Sequence, residues 1–176
     1  MSFRDLKLIP VPTDFGVTSE RALEVAIDLG RLTRASLEIL HVNSEAIWVV
    51  PPPGDVMVSP VDVGNALAES AARLEAVVAR VRAAGLTCSG SSEVGRTDAE
   101  IVEYARKRQV GMIVVGSHAR HGLSHAIMGS VAEKVVRHAP CPVLVVPPLV
   151  EEPVPVVRPD DETPVIELGV PLGQPA

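Results

Sequence analysis

Two stretches of this chain carry side chains suited to gripping an anionic ligand. The first is Val11-Pro12-Thr13-Asp14-Phe15. A short carboxylate such as Asp14 accepts hydrogen bonds from a sugar hydroxyl or an exocyclic amine. The same carboxylate could instead cap the turn that follows. The second stretch runs Gly116-Ser117-His118-Ala119-Arg120-His121-Gly122 and closes on Gly129-Ser130. Gly116 permits a sharp turn and a close backbone approach to a ligand. Gly129-Ser130 opens a helix whose unpaired N–H groups and positive dipole end suit a phosphate. Ser130 adds a hydroxyl, and Arg120, His118, His121 and His125 could offset phosphate charge.

Each assignment has a plainer competitor. Ser130-Val131-Ala132-Glu133 reads S-x-x-E, a capping box that would use the hydroxyl a phosphate needs. His118, His121 and His125 are spaced like metal ligands, but no acid or thiol completes a set, so solvated loop histidines are expected. His41 and His138 read as ordinary partly buried or surface residues. Cys141, between Pro140 and Pro142, reads as a packed residue rather than a nucleophile. There is no G-x-x-x-x-G-K-[ST], no G-x-G-x-x-G and no C-x-x-C.

The elements that must position these residues alternate along the chain. Leu6 to Val11 reads as a first strand, with Pro10 making its pairing irregular. Thr18 to Arg34 reads as a helix with an apolar stripe at Ala22, Val25, Ala26, Leu29 and Leu32, capped by Thr18 or Ser19. Leu37 to Val42 is a second strand, and Asn43 to about Pro60 is loop-like. Ala66 to Ala84 is a second helix with Leu67, Ala71, Leu74, Val77, Val78 and Val81 inward, stopped by Gly85. Leu86–Val94 is a serine-rich third strand, Asp98–Arg108 a third helix and Met112–Val115 a fourth strand. Ser130–His138 is a fourth helix and Val143–Val146 a fifth strand. The order βαβαβαβαβ predicts an α/β fold, a doubly wound, Rossmann-like five-stranded parallel sheet with helices on both faces. With strand order 3-2-1-4-5, the first and fourth strands flank the point where the order reverses, and both candidate stretches line one crevice.

Composition narrows the class of protein. Hydrophobic residues make up 47% but aromatics only 2%, so the core must be aliphatic, as in a parallel sheet buried on both faces. The last 30 residues, Pro147 to Ala176, hold six acids, one base and eight prolines, which leaves about −1 of the formal −6 for the rest. Without a basic excess or stacking aromatics, the folded part is not expected to read nucleic acid. No apolar run is long enough to span a bilayer, the first seven residues lack the apolar stretch of a secretory signal, and two cysteines make no disulfide framework. A cytoplasmic protein is expected, with a folded domain over 1–147 and a proline-rich acidic tail over 148–176. That tail is either a solvated extension or a source of strands, such as Val154-Pro155-Val156-Val157 or Pro164-Val165-Ile166, that dock on a sheet edge.

Over residues 3–147 the sequence resembles the universal stress protein family. The resemblance rests on Leu8-Ile9-Pro10-Val11-Pro12-Thr13-Asp14-Phe15 with Ser19-Glu20-Arg21-Ala22-Leu23, on Leu40-His41-Val42, and above all on Val114-Val115-Gly116-Ser117-His118 through Met128-Gly129-Ser130 to Val146. ATP-binding members carry a glycine, two residues, a second glycine, nine residues, then Gly-Ser or Gly-Thr. Gly116 and Gly129-Ser130 keep that spacing, while Ala119 replaces the second glycine. Some members lack this motif and bind no ATP; one added methyl is tolerated unless the position needs a positive φ. The resemblance implies ATP with a divalent ion, magnesium or manganese, beside its phosphates. Asp14 would hold the ribose or adenine side, Pro12 and Thr13 would shape the pocket, and the backbone of Val42 would meet the adenine. Gly116, His118, Ala119, Gly129, Ser130 and Val131 would surround the sugar and phosphates. It also implies a homodimer through the last strand, Val143–Val146, and a regulatory role in stress responses with at most slow ATP hydrolysis.

Overall fold

The computed structural model describes residues 6–44, 60–117 and 128–148, with backbone alone for 60–62. The elements are β1 (Leu8–Thr13), α1 (Val17–Thr33), β2 (Ser36–Ser44), α2 (Pro60–Ala83), β3 (Cys88–Gly95), α3 (Thr97–Arg108), β4 (Ile113–Gly116), α4 (Ser130–His138) and β5 (Val143–Val146). Most of the expected loop after the second strand, the loop of the three histidines, and the tail segments Val154–Val157 and Pro164–Ile166 lie outside the described residues.

All strand pairing is parallel, but the expected single five-stranded sheet is not what forms. β3, β2 and β1 make one hydrogen-bonded sheet, and β4 and β5 make a second. β4 lies beside β1, joined by the Gly111 N–H donating to the Leu8 carbonyl at 3.1 Å. The break in the ladder has a covalent cause. The Lys7 carbonyl accepts from Ser36 N–H on the β2 side, so odd-numbered peptide groups of β1 face β2 and even-numbered ones face β4. Two of those even positions are Pro10 and Pro12, which have no N–H to donate. The β1 strand thus bonds fully to β2 while offering β4 too few donors for a ladder.

Helices cover both faces with aliphatic side chains. Ala22, Ala26, Leu74, Val78 and Val81 of α1 and α2 pack on Ile9, Val11, Leu37 and Ile39. On the other face Ile101, Ala105, Ala132 and Val135 of α3 and α4 pack on Leu40, Val42, Ile113 and Val115. Two expected core positions are instead exposed, Leu32 (82%) and Ala71. For Leu32 the reason is helical phase: Ser19, Ala22, Leu23, Ala26 and Gly30 form the buried face of α1, and Leu32, two residues past Gly30, falls on the opposite side, as does Val17 (85% exposed), two residues before Ser19. For Ala71 it is length: the 24-residue α2 overhangs β3 with its first half. The expected side-chain cap on α1 is absent; Gly16 is the N-cap. Gly85, at φ +86, ends α2 as its sequence position suggests.

On the α3 face Glu38 is buried within a bonded group, apart from Asp98 of α3, which pairs with Arg96 at 3.1 Å. Glu38, 4% exposed, accepts the Ser89 hydroxyl at 2.5 Å and bonds Tyr104, with Arg108 at 4.0 Å and stacked over the tyrosine ring. Burial, with the Glu38 charge second, pushes Tyr104 up to about 12. Cys141 packs in the same core, and burial raises its thiol too, as expected of a packed residue.

Two predictions follow from this packing. A Cβ on Gly116 would sit 2.6 Å from the Thr18 carbonyl oxygen and 2.8 Å from its carbon, so β4 meets the backbone of α1 directly. Gly116→Ala is expected to cost about 1–3 kcal/mol, read as a lower urea midpoint at unchanged slope; an unchanged midpoint contradicts the close approach. Burial, ahead of the opposing charges of Arg82 and Glu38, raises the Cys88 thiol from 9.0 to about 11. As pH rises the unfolded chain therefore loses this proton first, so stability falls from about pH 9 until the folded thiol ionises near 11. Cys88→Ala is expected to flatten that part of the alkaline stability profile. A profile parallel to wild type would contradict it.

Candidate functional site

A cavity of about 660 Å³ opens at the carboxyl ends of β1, β2 and β4. The strands contribute Pro12 and Thr13, Leu40, His41 and Val42, and Val115 and Gly116. Three helices begin at its rim: α1 with Thr18 and Ser19, α3 with Thr97, and α4 with Ser130 to Glu133. A parallel sheet produces this convergence, because each crossover helix starts just after its strand ends. The first N–H groups of a helix have no acceptor within it, so three positive helix ends meet at one opening.

The turn between β1 and α1 is fixed by hydrogen bonds. Asp14 Oδ1 accepts the Gly16 N–H at 2.9 Å and the Ser19 hydroxyl at 2.8 Å. The Thr13 hydroxyl donates to Ser19 Oγ at 3.2 Å and accepts the Phe15 N–H at 2.9 Å. Phe15 sits at φ 59, a left-handed conformation that costs a non-glycine residue on the order of 1 kcal/mol. Its ring contacts His41, with centroids 4.5 Å apart, which offsets part of that cost. His41 Nδ1 lies 2.9 Å from the Thr13 carbonyl; a carbonyl can only accept, so Nδ1 carries the proton. Asp14 therefore organises the first turn of α1 and lines the cavity as well.

At α4 the capping box does not form. Gly129 takes the extended N-cap conformation at φ −62, ψ 151, with no side-chain bond. Ser130 is one residue too late to cap and is exposed in the first turn. Glu133, the other half of the box, pairs with Arg137 at 2.7 Å instead. The Ser130 hydroxyl, with the N–H groups of Ser130, Val131 and Ala132, is left facing the cavity end of the helix. The structure gives Gly116 a reason for glycine that the sequence did not suggest, the close approach to Thr18.

Of the residues expected at a site, Pro12, Thr13, Asp14, Val42, Gly116, Gly129, Ser130 and Val131 all line this one cavity. His118 and Ala119, with Arg120, His121 and His125, lie outside the described residues. His41, expected to be ordinary, is half-buried in the cavity wall. Thr97, Ile101 and Met128 were missed, since nothing in their local sequence marks them. Among the described lining residues there are two carboxylates, Asp14 and Glu133, and no lysine or arginine. Among the described residues no cluster of three histidine, cysteine or acidic side chains is placed to hold a metal. The arrangement offers an apolar slot (Pro12, Leu40, Val42, Ile101, Val115), a carboxylate beside it and a helix N-terminus opposite. Those are the parts needed for a flat ring, a hydroxylated sugar and a phosphate.

The sequence profile described as the Universal stress protein family matches residues 6–147. Universal stress protein YxiE of Bacillus subtilis is 30% identical over 141 residues, covering 77% of this chain and 95% of the relative. The solved structure of MJ0577, a universal stress protein of Methanocaldococcus jannaschii, is 30% identical, with a TM-score of 0.67 over 82% of this chain and 98% of that one. A universal stress protein solved in complex with cAMP shares the fold at 23% identity, with a TM-score of 0.61 over 82% and 98%. No described helix is long and apolar enough to cross a membrane. By sequence and by fold, this chain belongs to the universal stress protein family.

Proposed function

We propose that this protein binds ATP in the cavity at the ends of β1, β2 and β4, and acts in stress responses as a nucleotide-dependent regulator. The observation that carries the reading is the meeting of Asp14 and the start of α4 in one cavity. The phosphates lie against the N–H groups of Ser130 to Ala132 and the Ser130 hydroxyl. Asp14 takes a ribose hydroxyl, and the adenine enters the apolar slot beside the backbone of Val42. A structural relative that holds cAMP supports an adenine nucleotide as the ligand class.

Charge argues for a metal companion. A helix N-terminus supplies roughly half an elementary charge, whereas a terminal phosphate alone carries about −1.5 to −2. With no lysine or arginine among the described lining residues, magnesium or manganese beside the phosphates is the natural counter-charge. The second reading is a nucleotide-free dimeric adaptor of the same fold. Ala119, standing where ATP-binding members carry glycine, is the feature that favours it. Two unpaired cysteines, Cys88 and Cys141, support placing the protein in the cytoplasm.

Calorimetry with ATP and magnesium tests the site. Binding is expected, and Gly129→Val, which puts a branched side chain at the phosphate end, is expected to weaken it at least tenfold. Equal affinity in the variant would put the phosphates elsewhere, and no binding by wild type would favour the adaptor.

The same reading makes the protein a homodimer through β5. That strand is bonded only to β4 among the described residues, and Val143, Leu144 and Val145 are only half-buried. An apolar edge of this kind invites pairing with a second copy in a two-fold contact. Light scattering is expected to give a dimer that survives removal of residues 150–176 and dissociates in Val145→Lys. A full-length protein that is monomeric at micromolar concentration would overturn the dimer.

A further inference from the structure

We infer that Ser19 and Gly16 are positioning residues, which hold the Asp14 carboxylate in the one orientation that the nucleotide site uses. The inference rests on the nucleotide reading above and extends it to two residues that would not touch the ligand's phosphates.

Three observations carry it. Ser19 is 7% exposed, one turn into α1, and its hydroxyl lies within bonding distance of Asp14 Oδ1 and of the Gly16 carbonyl, at 2.8 and 2.9 Å. The Thr13 hydroxyl donates to Ser19, so the donors run in one direction, from Phe15 N–H through Thr13 and Ser19 to the carboxylate. Bonds aligned in this way polarise one another and fix the acceptor at their end more firmly than one bond would. Gly16 closes the other side. A Cβ there would lie 3.0 Å from Asp14 Oδ1 and 3.4 Å from its Cγ, so any larger residue would press on the carboxylate. The backbone at Gly16, φ −91 and ψ 170, is open to every residue type, so what the glycine supplies is the space over the carboxylate. Neither residue has a sequence signature for this role. Ser19 reads as a helix cap and caps nothing; Gly16 is the cap and contributes no side chain.

The rival account is that these contacts only hold the first turn of α1. The two differ in whether the effect on binding passes through Asp14. Affinity of the full chain for ATP with magnesium is measured in single and double variants, using ligand-observed NMR where binding is weak. Ser19→Ala removes a donor, and Gly16→Ala displaces the carboxylate without removing one. Each is expected to weaken binding about tenfold, the scale of one hydrogen bond to a charged group, while Ser19→Thr stays within about threefold of wild type. On an Asp14→Ala background neither change should alter affinity by more than about twofold, because coupled residues are not additive. Wild-type affinity in Ser19→Ala, or a loss that persists undiminished on Asp14→Ala, overturns the inference. If Ser19→Ala fails to fold, the Gly16→Ala pair decides by the same criteria. Wild type that binds no nucleotide overturns the nucleotide reading and this inference together; wild type that binds while Ser19→Ala is unaffected overturns this inference alone.

Discussion

β1 is a strand with two different edges, and the site exists because of it. Its odd-numbered peptide groups run a full parallel ladder with β2, while Pro10 and Pro12 remove the donors from the edge that faces β4. β4 is therefore held beside β1 by the Leu8 carbonyl and by packing rather than by a ladder. Its register and its height against β1 are set from above, where Gly116 rests on the Thr18 carbonyl of α1. The cavity opens at that seam. One chemical fact about proline thus connects the topology of the sheet, the need for glycine at 116 and the place where a ligand can enter.

The charge distribution at the seam explains why a nucleotide suits it better than a free anion. The helix ends of α1, α3 and α4 attract negative charge, but Asp14 and Glu133 stand in the same wall. A small anion would meet both influences in one place. The proposed nucleotide would separate them, with phosphates at α4 and hydroxyls at Asp14. The apolar slot between them suits a ring, and burial of the ring adds affinity that needs no charge. Asp14 is exposed at the mouth of this wall, and two hydrogen bonds to its Oδ1 hold the carboxylate in place.

Much of this was legible in the sequence, and the failures share a cause. Aliphatic runs and helical periodicity located eight of the nine elements among the described residues, the serine-rich β3 being placed by its position in the alternation, and α4 and β5 begin and end where their patterns do. The caps of α1 and α4 are not legible because they are glycines, Gly16 and Gly129, which advertise nothing, while Thr18, Ser19 and Ser130 look like caps and sit one to three residues too far along. The first strand runs from Leu8 to Thr13, two residues later than its aliphatic run Leu6–Val11, and Pro10 and Pro12 are tolerated in it because their nitrogens face β4. The split of the sheet depends on which edge those prolines occupy, and register decides that. Asp14, Gly129 and Ser130 could be chosen by residue type. His41 joins the site because the parallel register sets it beside Thr13 at the end of β1, and Thr97 because β3 runs past that level to Gly95 before α3 turns back; no local pattern records either.

The central claim is that an adenine nucleotide sits across the seam between β1 and β4, with its phosphates on α4. Amide shifts in a heteronuclear NMR titration with ATP and magnesium test it most directly, since they report place as well as affinity. The account predicts the largest saturable shifts at Ser130, Val131 and Ala132, with accompanying shifts at Thr13, Asp14 and Val42. Shifts that are absent, or that gather at the opposite end of the strands around Leu8, Ser36 and Val143, would contradict it.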